Sequence, residues 1–345
     1  MRASSVRHAW FLVVAVVGAL VLPVAGTATA AAGEQKPLPK VSLAEARRVV
    51  RNAVELDVQA GTSNDKAILA MFATGLNLEI ESGVLDLAAA DSEEAFEPYT
   101  SKVVKVFTLR TTAYPRYFLA QTETDFQGGI IDRSVLLFSR ESKQASWLWD
   151  RSIAHPTDGW PKFAIDADGY VRIEVDATKL LFDPATAPAE LATYLSIASA
   201  DPPPNAALFA PSFGTDEYRD ETTDLLQGWP DGYATTFTAT PTAHQVFTFR
   251  LKDGSALVSF GLSSVTLVSN PESNPDDAIE QDDTRSTMDS RIAPGVYREF
   301  TLNDLEDFSV VVPTKRSGDT ATAIFVYYGP VSASAVPVGD PSLYE

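Results

Sequence analysis

After Pro98 the apolar residues stop recurring at helical spacing and begin to alternate. Lys102–Arg110, Tyr117–Thr124, Ser134–Arg140 and Ala145–Ser152 are rich in β-branched and aromatic residues, and turn-type clusters such as Gln127-Gly128-Gly129 separate them. No covering helix fits between these strands, so they must pair antiparallel, hairpin to hairpin. The fold class is α+β. Trp147 and Trp149 stand two apart and share a face of the sheet, and residues 163–176 form two extended pieces joined at Asp168-Gly169.

Before Pro98 the chain is helical. Ser42-Leu43-Ala44-Glu45 is a capping box, followed by Ala46, Val50 and Val54 at helical spacing as far as about Asp57. Gly61-Thr62-Ser63 ends that helix; a second runs from Asp65 to Ala73 and stops at Gly75, and a third covers Ile80 to Ala90. The order then begins again. A helix near Pro184–Ser199, a Pro202-Pro203-Pro204 link and a short helix over Asp216–Leu226 precede strands at Tyr233–Thr240, Gln245–Leu251, Ser255–Ser269, Tyr297–Leu302, Ser309–Val312 and Ala321–Tyr328. Phe247, Phe249 and Leu251 face inward. In Ser255–Ser269 the apolar parity flips near Gly261, from Val258, Phe260 and Leu262 to Val265 and Leu267, which predicts a β-bulge there.

Arg2 and Arg7, the apolar run Trp10–Leu22, Pro23 and Ala28-Thr29-Ala30 compose a secretory signal peptide with cleavage before Ala31. Retained, the stretch from Trp10 to Ala32 is apolar enough to span a bilayer, and an uncleaved anchor stays open as the alternative. The expected division is a signal peptide at 1–30, a linker at 31–41, a first α+β domain at 42–182, a second at 183–335 and a C-terminal tail at 336–345. The sequence contains no cysteine, so an exported chain must hold itself together by buried area and strand pairing without disulfides. Iron–sulfur clusters, thiolate metal sites and a cysteine nucleophile are excluded with it. The net charge of −19 repels phosphate backbones, which excludes nucleic acid as a general partner; membrane contact is expected only through an uncleaved leader.

Phe96-Glu97-Pro98-Tyr99-Thr100, Thr112-Ala113-Tyr114-Pro115-Arg116-Tyr117-Phe118, Asp166-Ala167-Asp168-Gly169-Tyr170 and Gly329-Pro330-Val331-Ser332-Ala333 resemble segments of a family of exported actinobacterial proteins with a domain of unknown function. The similarity runs from roughly residue 42 to 335. The order of elements resembles the cone-shaped fold of nuclear transport factor 2-like domains, here in tandem. The resemblance implies envelope localisation and, in many relatives, a lipid anchor, from which this cysteine-free chain departs. It carries over no established reaction.

Chemistry-bearing residues are few. His155, in a turn after a strand, is a weak candidate base, and no Gly-x-Ser-x-Gly elbow accompanies it. Ser63-Asn64-Asp65-Lys66 matches a Ser-x-x-Lys spacing that helix capping also explains. Asp166 and Asp168 resemble the opening of a calcium loop, but its later ligands are missing and an Asp-Gly hairpin turn is the better reading. Asp276, Asp277, Asp282 and Asp283 belong to an acidic segment, 271–290, that is either a solvated loop or a weak cation site. Tyr114, Tyr117, Trp147, Trp149 and Trp160 either line a ligand site or form core. No cofactor is expected. The reading is an exported, non-enzymatic binding or interaction protein of the cell envelope, with an unknown envelope ligand or protein partner. The alternative is a secreted hydrolase or isomerase using a pocket inside one cone, with His155 or a buried carboxylate as base.

Overall fold

A computed structural model describes residues 36–90, 98–126, 130–154, 160–197, 203–227, 234–269, 279–281 and 295–337. The leader, the first five linker residues, His155, Asp276, Asp277, Asp282, Asp283 and most of the tail lie outside them. Helix α1 (Leu43–Ser63) is capped by Ser42, whose hydroxyl accepts the Glu45 amide at 3.1 Å. It does not break at Gly61. The Thr62 and Ser63 hydroxyls donate to the carbonyls one turn back, and the helix closes at Asn64 in the left-handed conformation (φ 50°), which Asn tolerates. Asp65, not Ser63, caps α2 (Lys66–Phe72), which removes the Ser63 to Lys66 spacing as a separate motif. Helix α3 (Gly75–Ala90) starts five residues earlier than its periodicity suggested, because Gly75 takes φ +56° and turns the chain straight into it.

Strands β1 (Tyr99–Thr108), β2 (Arg116–Phe126), β3 (Ile130–Arg140) and β4 (Leu148–Ala154) form an antiparallel meander. The buried stripe of α1 (Ala46, Val50, Ala53, Val54) packs on its inner face against Val103, Phe118, Ala120, Leu136 and Phe138. Helices α4 (Ala187–Leu195) and α5 (Tyr218–Gln227) cover a second antiparallel sheet of β5 (Ala234–Pro241), β6 (Phe247–Arg250), β7 (Ala256–Ser269), β8 (Ile279–Gln281), β9 (Gly295–Val312) and β10 (Thr322–Pro337). Its order is β10-β9-β7-β5, with β6 beside β5 on the same edge of β7 and β8 paired to β9. The chain is thus α+β with two separate antiparallel sheets. Among the described residues no helix is long and apolar enough to cross a membrane.

Two strand expectations need correction. Strand β7 pairs with β9 from Ala256 to Ser269 with no register shift, so there is no bulge at Gly261; the partner on its other edge changes there from β6 to β5. The inward parity persists: after Val258, Phe260 and Leu262 the inner positions pass to Ser264 and Thr266, while Val265 and Leu267 take the more open face. Strand β9 is also continuous where two strands were expected, because Glu306 and Asp307, which read as a break, are buried within it.

A third core joins the sheets: Leu119 and Leu137 of the first meet Phe249 and Leu257 of the second through Phe163 and Val171. The segment carrying those two residues is hydrogen-bonded on both sides, from the Val171 amide to Thr108 O (2.9 Å) and from the Ala164 amide to Arg250 O (2.8 Å). Helix α3 meets β10 backbone to backbone. A methyl group on Gly83 would overlap the Pro330 carbonyl oxygen, and one on Gly329 would come within 2.5 Å of Ile80 O. Gly83→Ala is therefore expected to lose about 3 kcal/mol of stability, the upper range for an overpacked site, measured by urea unfolding. An unchanged midpoint would show that this contact does not set the position of α3.

Candidate functional site

The first sheet's inner face is apolar at one end only. Along β2 the inward series runs Phe118, Ala120, Thr122, Thr124; along β3 it runs Phe138, Leu136, Ser134, Asp132. Where it turns polar, a cavity of about 390 Å³ opens between the sheet, α1 and α3. Val54, Leu69, Val84, Leu85 and Leu136 make it mainly apolar. Trp149 of β4 and Tyr327 of β10 complete the wall.

Into this apolar setting α1 and α3 deliver two carboxylates. Asp57 continues the buried stripe of α1, one turn beyond Val54, and is buried itself. Glu81 projects from α3 one turn after Asn77. Burial raises the Asp57 carboxyl to about 6, against a lowering contribution from the Tyr99 hydroxyl, which donates to Asp57 Oδ2. Glu81 is raised well above the ordinary glutamate range, by burial first and the Asp57 charge second. The Tyr327 hydroxyl is pushed up by Glu81 and then by burial, and that of Tyr99 by burial and then by Asp57. Ser134 donates to Asp132 at 2.9 Å. Among the described lining residues there is no Lys, Arg or His. Asn77 Nδ2 and Trp149 Nε1 are buried donors without an acceptor.

The residues singled out in the sequence mostly lie elsewhere. Of the five aromatics, Trp149 alone lines this cavity. Trp147 is buried in the helix-to-sheet core, edge-on to Phe118 with centroids 4.8 Å apart, and donates to Glu45 Oε1 at 3.0 Å. Tyr117 packs edge-on against Phe247 and Trp160 packs against the seam between the sheets. Tyr114 is half-exposed in the β1–β2 turn. Asp166 and Asp168 form a turn closed by Arg110, which donates to both carboxylates, while Asp166 Oδ1 accepts the Asp168 and Tyr170 amides, each at 2.9 Å. Both Asp166 oxygens and Asp168 Oδ2 are engaged in that latch. Among the described residues no group of three or more His, Asp or Glu side chains is arranged to hold a metal. Asp57, Glu81 and Tyr327 were missed. The available signal was an acid at position 57 on an otherwise apolar helical stripe.

Because the folded-state value for Asp57 lies above its ordinary 3.8, the folded chain holds that proton more tightly than the unfolded one. The stabilisation is complete below 3.8 and is lost as pH rises through about 6. Urea midpoints across this window should fall with rising pH, and Asp57→Asn should remove part of the slope. An identical slope in the variant would place the Asp57 carboxyl in solvent.

A family model described as "Domain of unknown function (DUF8094)" matches residues 37–328, and the chain belongs to that family. No curated protein and no solved structure matches it.

Proposed function

For a member of this family of unknown function, we propose a non-enzymatic binding protein, exported to an actinobacterial-type cell envelope, that holds a small molecule in the cavity between α1–α3 and the first sheet. The single observation that carries the reading is that cavity: about 390 Å³, mainly apolar, with the buried Asp57 and the half-buried Glu81 in its wall. A ligand with an apolar body gains by leaving water there. A hydroxyl, amide or amine on it donates to Asp57, and an acceptor on the same group satisfies the Asn77 and Trp149 donors that now lack partners. Export rests on the leader, Arg2 through Ala30. The reading includes a likeness of each sheet, with its helices, to a nuclear transport factor 2-like cone closed around a pocket. A soluble envelope component is the expected source of the ligand, with nucleic acid excluded by charge and membrane contact restricted to an uncleaved leader.

A second reading rests on the same carboxylates. Two acids whose proton affinities are split by their surroundings can divide the work of proton transfer, Asp57 as base and Glu81 as acid, which is the chemistry of an isomerase or hydrolase.

A panel of small apolar alcohols, amides and amines separates the two. For a binder, at least one member raises the unfolding midpoint, by about 2.7 kcal/mol at a hundredfold excess over its dissociation constant, and is recovered unchanged. Asp57→Asn should weaken that binding at least tenfold, while a bulky Leu136→Trp substitution should abolish it by filling the cavity. Chemical conversion of the ligand, lost in both Asp57→Asn and Glu81→Gln, would establish the enzyme instead. A panel without effect on the wild-type midpoint would overturn the cavity as a binding site.

A further inference from the structure

The second sheet repeats the arrangement with different walls. Its inner face is apolar where Val258, Phe260 and Leu262 of β7 and Phe308 and Val310 of β9 meet α4. Towards the other end the series passes to Ser264 and Thr266 on β7 and to Glu306 and Asp304 on β9, with Ser264 directly across from Asp304. A cavity of about 400 Å³ lies there under α5. Five aromatic side chains line it: Phe213, Tyr218, Phe237, Phe325 and Tyr328. The ring centroids of Tyr218 and Phe325 are 5.4 Å apart, those of Tyr218 and Phe237 6.1 Å and those of Phe325 and Tyr328 6.2 Å. A shift of register between Phe325 and Tyr327 brings Phe325 and Tyr328, three residues apart, onto the same cavity.

Glu306, only 2% exposed, is the polar centre of this wall. Its Oε1 accepts from the Tyr218 hydroxyl at 2.5 Å and from the Ser264 hydroxyl at 2.6 Å, while Oε2 has no partner. Asp304 and Glu221 also line the cavity, whose described lining residues include no Lys, Arg or His. Metal ions are a poor match, since these acids form no metal-holding group.

We propose that this cavity is a second binding site, for a quaternary ammonium such as a trimethylammonium group, held over the aromatic side chains with Glu306 as counter-charge. Aromatic faces attract a diffuse cation through the ring quadrupole, and attract it most where water is displaced. A trimethylammonium group has no N–H to donate, so it leaves the Tyr218 and Ser264 hydrogen bonds to Glu306 in place and contributes the missing positive charge. Burial raises the free Glu306 carboxyl to about 7, and a fixed cation beside it would favour the ionised form. With acids and no cation in the wall, a phosphate attached to the same ammonium would be repelled, so free choline suits the site better than phosphocholine.

Titration calorimetry of the protein with choline, tetramethylammonium, phosphocholine and the neutral isostere 3,3-dimethylbutanol tests this. Choline and tetramethylammonium should bind at up to millimolar dissociation constants, and the isostere and phosphocholine at least about tenfold more weakly. Glu306→Gln and Phe325→Leu should each weaken choline at least about tenfold, and choline affinity should fall as pH drops below about 7. Asp57→Asn, in the first cavity, should leave choline binding unchanged, so this site stands or falls independently of the other. No saturable binding of either cation, equal binding of the isostere, preference for phosphocholine or indifference to Glu306→Gln with the fold retained would each overturn the proposal.

Discussion

The contact on which both cavities depend is the close approach of α3 to β10. Gly83 and Gly329 leave no side chain between the two backbones, so a helix of the first half lies directly on a strand of the second. Apolar side chains of α3, Leu76 and Ile80, close against Leu305 of β9 beneath that contact. The same helix therefore offers Asn77 and Glu81 to one cavity and Leu87 to the other. Strand β10 does likewise: Tyr327 lines the first cavity and Tyr328 the second, because neighbouring residues of a strand point to opposite faces. With no cysteine available, the seam relies on packing and on a few buried polar links. Ser309 of β9 donates to Ile153 O of β4, and Arg151, 1% exposed, is held by Asp150 at 3.1 Å and lies over the Phe247 ring.

Each cavity contains a carboxylate that accepts one tyrosine hydroxyl, Tyr99 on Asp57 and Tyr218 on Glu306. Burial raises both acids, and the hydroxyls they accept, Tyr99 for Asp57 and Ser264 then Tyr218 for Glu306, partly offset it, which leaves Asp57 at about 6 and Glu306 at about 7. Groups poised this close to neutrality change charge when a ligand of matching charge arrives. A structural latch behaves differently: the Tyr170 amide, and then Arg110, hold the Asp166 carboxyl below the ordinary range against its partial burial.

Helix starts and the antiparallel pairing were legible because they rest on local chemistry. Ser42 and Asp65 announce their helices, and the alternation of Phe247, Phe249 and Leu251 places all three in the buried seam. The cavities were hidden by the rule that made the strands visible. Following apolar parity through β7 suggested a bulge, since Val265 and Leu267 looked like the continuing inner set; the strand in fact stays in register and turns Ser264 and Thr266 inward. The run Asn303-Asp304-Leu305-Glu306-Asp307 fell between two expected strands, although it continues β9 and turns Asp304 and Glu306 to the second cavity. Polar residues at inner positions were the signal, and they are informative only once the strand is known to be continuous.

The sequence by itself determined the class of fold, the order of its elements and the absence of covalent cross-links, because propensity, capping, loop length and cysteine content act within a few residues of chain. Tertiary structure alone decided which acids came to line the cavities. Asp57 and Glu81 lie 24 positions apart and Tyr327 lies in the last strand, so no local pattern relates them. Their proton affinities depend on how much water the packed helices exclude and which charges that packing brings near, and both are set by long-range geometry.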